Sequence, residues 1–202
     1  MRLYQVMLVG AVLCTAVSPV LAGGDSPWTL RFHGALVDSS VSGSSSVTDG
    51  VITDVDVGGG FGIGAEYRFS NRLGFQMSAL FAGLDIGSRT GPAGVETFEM
   101  GMAPFTFGLP IHLTPGSRAD LFIEPTISIV SYFDVETTVG GGSVGTNVDV
   151  SSDTAPGAAL CLDLPLGEGR WALSTGVRYM KTEAENADID PIIVTIGAAF
   201  RI

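Results

Sequence analysis

Large apolar side chains alternate with small or polar ones along most of this chain, a period of two that marks extended backbone with one greasy face. The last eleven residues show it most plainly: Ile192-Ile193-Val194-Thr195-Ile196-Gly197-Ala198-Ala199-Phe200-Arg201-Ile202. Seven earlier segments obey the same rule. Their large apolar members are Trp28, Leu30 and Phe32 in the first, Phe61, Ile63, Ala65, Tyr67 and Phe69 in the second, and Leu73, Phe75, Met77, Ala79 and Phe81 in the third. The fourth has Phe105, Phe107, Leu109, Ile111 and Leu113; the fifth Leu121, Ile123, Ile127 and Ile129; the sixth Ala158, Leu160, Leu162 and Leu164; the seventh Trp171, Leu173, Val177 and Tyr179. About ten residues of alternating character is the length of a tilted strand that crosses a bilayer.

The connections alternate in length as well. Ser70-Asn71-Arg72, Thr114 to Arg118 and Pro165 to Gly169 are short, whereas Asp38 to Gly59, Asp85 to Thr97, Asp134 to Thr154 and Lys181 to Asp190 are long and rich in Gly, Ser, Thr and Asp. The pattern predicts an all-β fold: an eight-stranded antiparallel transmembrane β-barrel with short periplasmic turns and long extracellular loops. A soluble barrel of lipocalin type would carry its apolar face inside instead. Aromatic residues near strand ends (Phe69, Trp171, Tyr179), small residues on the opposite parity and the terminal strand favour apolar-out. Prolines at 104, 110 and 125 fall inside predicted strands, where local pairing is expected to be irregular.

Composition adds a destination. Arg2, an apolar run from Val6 to Val17, Ser18-Pro19 and Val20-Leu21-Ala22 before Gly23 read as a secretory signal peptide over 1–22, leaving the barrel over 23–202. The run is too short to span a membrane, and Cys14 follows Leu13 inside it rather than a small residue, unlike a lipoprotein box. Loss of the leader leaves Cys161 without a partner, so no internal disulfide is expected. The formal charge of −11 with one lysine, Lys181, argues against nucleic acid as a partner and fits solvated acidic loops. Outer-membrane lipid and lipopolysaccharide are the expected surroundings.

Apolar-out orientation sends Arg31, His33, Glu66, Arg68, Gln76, Ser78, His112, Glu124, Asp163, Arg178 and Arg201 into the lumen. Charges enclosed there must pair with one another to be tolerated. They either fill and rigidify a closed barrel or line a route through it. Gly60, Gly62 and Gly64 share one parity, which either leaves space in the wall or eases strand curvature.

Enzyme chemistry finds little support. His33 and His112 lie on separate strands at different depths, so neither a catalytic nor a metal site is expected. Gly58 to Gly64 lacks both nucleotide-binding spacings and Asp54-Val55-Asp56 lacks the rest of a calcium loop, so no cofactor is expected either.

With these segments in place, the chain resembles the OmpW family of eight-stranded outer-membrane proteins. The residues that carry the likeness are Trp28-Thr29-Leu30-Arg31, Tyr67-Arg68-Phe69-Ser70-Asn71-Arg72-Leu73-Gly74 and Ala103-Pro104-Phe105-Thr106, then Tyr132-Phe133-Asp134, Tyr179-Met180 and Asp188-Ile189-Asp190-Pro191. The resemblance implies a narrow barrel that admits small hydrophobic molecules and releases them sideways into the membrane. It also implies bulky apolar gate residues, where this chain has Arg178 and Ser78, and a terminal Phe, where it has Phe200-Arg201-Ile202. The expected function is passive uptake of small hydrophobic or amphipathic molecules, the alternative a closed structural or surface-interaction barrel without transport.

Overall fold

A computed structural model describes residues 26–42, 57–91, 94–139, 142–145, 152–167, 169–184 and 187–202. The expected leader and much of the first long connection fall outside them. Eight long strands form the staves: β1 Trp28–Ser42, β2 Gly58–Arg68, β3 Gly74–Gly91, β4 Gly94–Gly108, β6 Asp120–Val139, β8 Asp153–Pro165, β9 Trp171–Met180 and β11 Ala187–Arg201. Three short strands are added at their ends: β5 Ile111–His112, β7 Gly142–Gly145 and β10 Thr182–Ala184. Each stave pairs antiparallel with the next, and β1 returns to β11 from Thr29↔Arg201 to Ser42↔Asp188. The sheet is therefore closed on itself.

Alternation appears as alternating burial. On β1, Phe32 and Leu36 are exposed while Arg31, Ala35 and Val37 are buried. Phe61, Ile127, Leu160, Val177 and Ile196 continue the apolar outer belt around the barrel. A belt of that breadth is stable against acyl chains and not against water, which sets the orientation as apolar-out. At the short-turn end Trp28 meets Tyr67 edge-on with ring centroids 5.0 Å apart, and Trp171 meets Phe200 at 4.7 Å. Amphipathic rings favour the headgroup level, so these pairs mark the rim of the belt.

The short turns use local chemistry. Ser70 Oγ accepts the amides of Arg72 and Leu73, and Thr114 Oγ1 donates to the Ala119 carbonyl while accepting the Leu121 amide. Gly116 and Gly167 adopt φ of 76° and 72°, a left-handed conformation that side chains disfavour.

Two expectations need correction. Most of Asp85 to Thr97, and parts of Asp134 to Thr154 and Lys181 to Asp190, are strand rather than loop: β3 reaches Gly91, β4 begins at Gly94, and β6 extends to Val139. Backbone pairing continues there after the apolar alternation has stopped. The fourth predicted segment is also divided. β4 ends at Gly108 and pairing resumes only at Ile111–His112, because Pro110 has no amide to contribute.

Candidate functional site in the barrel interior

Nearest the short turns, the interior is a closed ionic network. Glu66 is its hub: its carboxylate lies 2.7 Å from Arg31 Nη2, 3.1 Å from Arg68 Nε and 2.7 Å from His112 Nε2. Arg31 continues to Asp163 at 2.8 Å, donates to Gln76 Oε1 at 3.0 Å and stacks over the Phe122 ring. Arg68 reaches Asp120 at 2.8 Å, and His112 Nδ1 contacts the same carboxylate at 3.0 Å. Ser174 donates to Asp163 and Gln76 Nε2 to Glu124. Glu66, Asp120, Glu124, Asp163, Arg31 and His112 are all buried. Enclosing so many charges is tolerable only because each has a counter-charge or a hydrogen-bond partner on a facing strand.

The expected interior residues occupy that face, with differences of degree. Arg31, Glu66, Arg68, Gln76, His112, Glu124 and Asp163 join the network, and Arg201 reaches its edge, 3.9 Å from Asp120 and half exposed. His33 stands apart from His112. Its imidazole fills the space above Gly62 where a Cβ would otherwise stand. At Gly60 the backbone of β3 approaches too closely for a side chain. The run therefore leaves no space in the wall at Gly60 or Gly62, and neither reading of it named this close approach. Asp120 was missed by sequence reasoning because it lies just beyond the Thr114–Arg118 turn and reads as part of it.

Arg178 sits where the network ends. Its guanidinium makes only long contacts, 3.4 Å to Glu124, 3.3 Å to Thr106 and 3.5 Å to Ser78, and its Nε has no partner. With Arg31, His33, Cys161 and Thr195 it borders a cavity of about 40 Å³. That is room for a few waters and far below the roughly 300 Å³ of a small-molecule site.

Above Arg178 the interior changes character. Thr106 and Ser128 share a 2.7 Å hydrogen bond, and Ser128 donates to the Met180 sulfur. Beyond them Ala35, Val37, Leu80, Ala82, Leu84, Met100, Met102, Val130, Ala155, Met180 and Ile193 form one buried apolar cluster with the ring of Tyr132. Sequence reasoning missed this cluster too. Leu80, Ala82 and Leu84 continue the parity of Gln76 and Ser78, and that continuation was the available signal. A polar collar caps the cluster: Tyr132 Oη donates to Thr182 Oγ1 at 3.0 Å, which donates to Asp153 Oδ2 at 3.2 Å.

The wall beside the apolar cluster has a defect between β3 and β4, besides the register shifts at Asp85/Gly87 and Glu99/Gly101. β3 and β4 pair at Ala79↔Phe105 and again at Ala82↔Met102 in the same register, but not between. There Pro104 faces Leu80 and brings no N–H for the Leu80 carbonyl, while its pairing with Val130 of β6 is kept. Among the described residues no group of three His, Cys, Asp or Glu side chains is arranged to hold a metal ion. The arrangement seals one end ionically and presents the other as an apolar interior beside a weakened seam.

No family model and no curated protein matches this chain. Its structure is similar to that of the outer-membrane protein OprG from Pseudomonas aeruginosa, with a TM-score of 0.64 at 16% identity over 89% of this chain and 98% of that one. It is also similar to AlkL, solved in lipid bilayers, with a TM-score of 0.53 at 19% identity over 92% and 95%. Neisserial surface protein A gives a TM-score of 0.54 at 14% identity over 89% and 99%. At such identities the likeness establishes the fold, that of eight-stranded outer-membrane barrels. OprG and AlkL are barrels of the OmpW/OprG family, so the sequence resemblance is matched at the level of architecture.

Proposed function

We propose that this protein is a passive channel of the bacterial outer membrane that takes small hydrophobic or amphipathic molecules from the loop side and releases them sideways into the bilayer. The leader expected from the sequence and the outer-membrane fold support the location, and lipid with lipopolysaccharide would surround the belt. The observation that carries the proposal is the lapsed rung at Pro104 beside the buried apolar cluster.

Magnitudes favour the sideways route. An apolar tail among Leu80, Met102 and Ile193 gains about 0.8 kcal/mol per buried methylene, much as it would in lipid, so passage between the two is nearly level. Continuing along the axis would separate the Arg31, Glu66 and Asp163 ion pairs, at about 3–5 kcal/mol for each partner left alone. Met100, Met102 and Met180 supply side chains flexible enough to make way at little cost.

The second reading, a closed structural or surface-interaction barrel, draws support from the small cavity and the sealed ionic end. Liposomes with and without the protein separate the two. Faster entry of a small hydrophobic probe without ionic conductance is expected of the channel; equal entry rates would leave only the structural barrel.

A further inference from the structure

The described arginines that make no ion pair all lie at one end of the barrel. Arg72, Arg118 and Arg170 stand one or two residues before β3, β6 and β9, so each short turn carries one. Strand order sets these turns at every second seam of the ring, and Arg201 at the end of β11 falls in the remaining quarter. All three turn arginines are exposed, and no described side-chain carboxylate pairs with them. Those described at this end, Glu66, Asp120 and Asp163, are buried and engaged by Arg31, Arg68 and His112. The backbone fixes where the guanidiniums start: the Arg72 carbonyl accepts the His112 amide, the Arg170 carbonyl accepts the Arg201 amide, and Ser117 Oγ donates to the Thr114 carbonyl in the turn of Arg118. The other end has the reverse charge. In sequence the long connections hold Asp and Glu with only Arg89 and Lys181 against them, whereas the short turns hold a single acid, Glu168.

The neighbours of these arginines say what kind of anion they meet. Phe69 and Leu73 flank Arg72, Leu113 precedes the turn of Arg118, and Leu166 and Trp171 bracket that of Arg170, all of them exposed. A soluble anion has no use for that apolar fringe. A phospholipid meets both parts at once, acyl chain against the fringe and phosphate against a guanidinium. The Trp28–Tyr67 and Trp171–Phe200 pairs set the headgroup level at this same rim. Net charge then selects among lipids. A zwitterionic lipid brings an ammonium of its own to a rim whose described carboxylates are already engaged, whereas a lipid of net negative charge keeps the full attraction. We propose that the short-turn rim is a binding surface for anionic phospholipid, with Arg72, Arg118 and Arg170 as its phosphate contacts.

The surface is independent of any solute route, and its test leaves the channel reading untouched. The full mature chain is placed in phosphatidylcholine bilayers with either spin-labelled phosphatidylglycerol or spin-labelled phosphatidylcholine, and the fraction of each lipid immobilised by the protein is compared. Phosphatidylglycerol should associate several-fold more strongly, and added salt should narrow the gap through screening. Arg72→Gln, Arg118→Gln and Arg170→Gln together should bring the two lipids level, while the three corresponding Lys changes should keep most of the preference. These side chains make no hydrogen bond or ion pair in the fold, so heat-modifiable gel migration should show both variants folded, with probe influx unchanged. Should the Gln variant fail to fold, the Lys variant and the salt series on the unaltered protein decide the matter. Equal association of the two lipids, or a preference that survives high salt or the three Gln changes, would overturn the proposal. Equal association combined with salt-sensitive binding of soluble peptidoglycan fragments would give the arginines to that polymer instead.

Discussion

On the same staves, the inner wall near the short turns and the inner wall beneath the long loops are built from opposite chemistry. The first is held by directional contacts among Arg31, Glu66, Arg68, His112, Asp120 and Asp163. The second is held by contact among Val37, Leu80, Met102, Val130, Met180 and Ile193, which specify no partner. An ionic network has one arrangement that satisfies every member, whereas an apolar cluster rich in methionine has many of nearly equal energy. The difference teaches that a barrel can be rigid and plugged at one end while remaining deformable at the other. The seam at Pro104 lies beside the deformable part.

The sharpest way to break this comparison is to remove the hub of the rigid end. Glu66→Ala leaves Arg31, Arg68 and His112 with one counter-charge fewer in an enclosed space, a loss of about 3–5 kcal/mol. Urea unfolding of the refolded barrel in liposomes should register that loss as a lower midpoint. Probe influx by the folded fraction should be unchanged, because the route leaves the barrel above the network. A large change in influx would mean that the plug belongs to the path.

A smaller effect on stability, with the opposite effect on function, is expected at the deformable end. Met102 is fully buried and pairs with Tyr132 beside the seam. Met102→Ala removes apolar contact and leaves space, at about 2–5 kcal/mol, toward the lower bound where flexible neighbours collapse into the gap. That variant should admit hydrophobic probes faster than the unaltered protein. Slower influx would show that Met102 guides the solute instead of obstructing it.

How much of this was legible in the sequence depends on which solvent each face meets. Lipid on one side and an enclosed polar interior on the other impose strict alternation, which is why the staves and the inward placement of Arg31, Glu66 and Asp163 could be read directly. Two regions escaped because that contrast disappears. In the long hairpins around Gly91 and Val139 strand continues through a sequence without an apolar alternation. In the upper interior, Leu80 beside Phe81 and Val130 beside Ile129 are apolar on both parities, so only the continued parity of Gln76 and Ser78 says which one faces inward. The weak hold on Arg178 was illegible for another reason. Its contacts come from β3, β4 and β6, and their lengths depend on closure of the barrel.

The smallest energetic effect belongs to the seam itself, where function and stability should separate most clearly. Pro104→Ala supplies the missing N–H and lets the rung to Leu80 form, a gain of about 1 kcal/mol. The same change loosens the unfolded chain, which offsets about 0.4–1 kcal/mol of that gain. The unfolding midpoint should therefore hardly move. Influx of a hydrophobic probe should fall, and the new amide at position 104 should exchange slowly with deuterated solvent because it is bonded across β3 and β4. A protected amide with undiminished influx would place the exit elsewhere in the wall, since the only change on that path would be one hydrogen bond closing it.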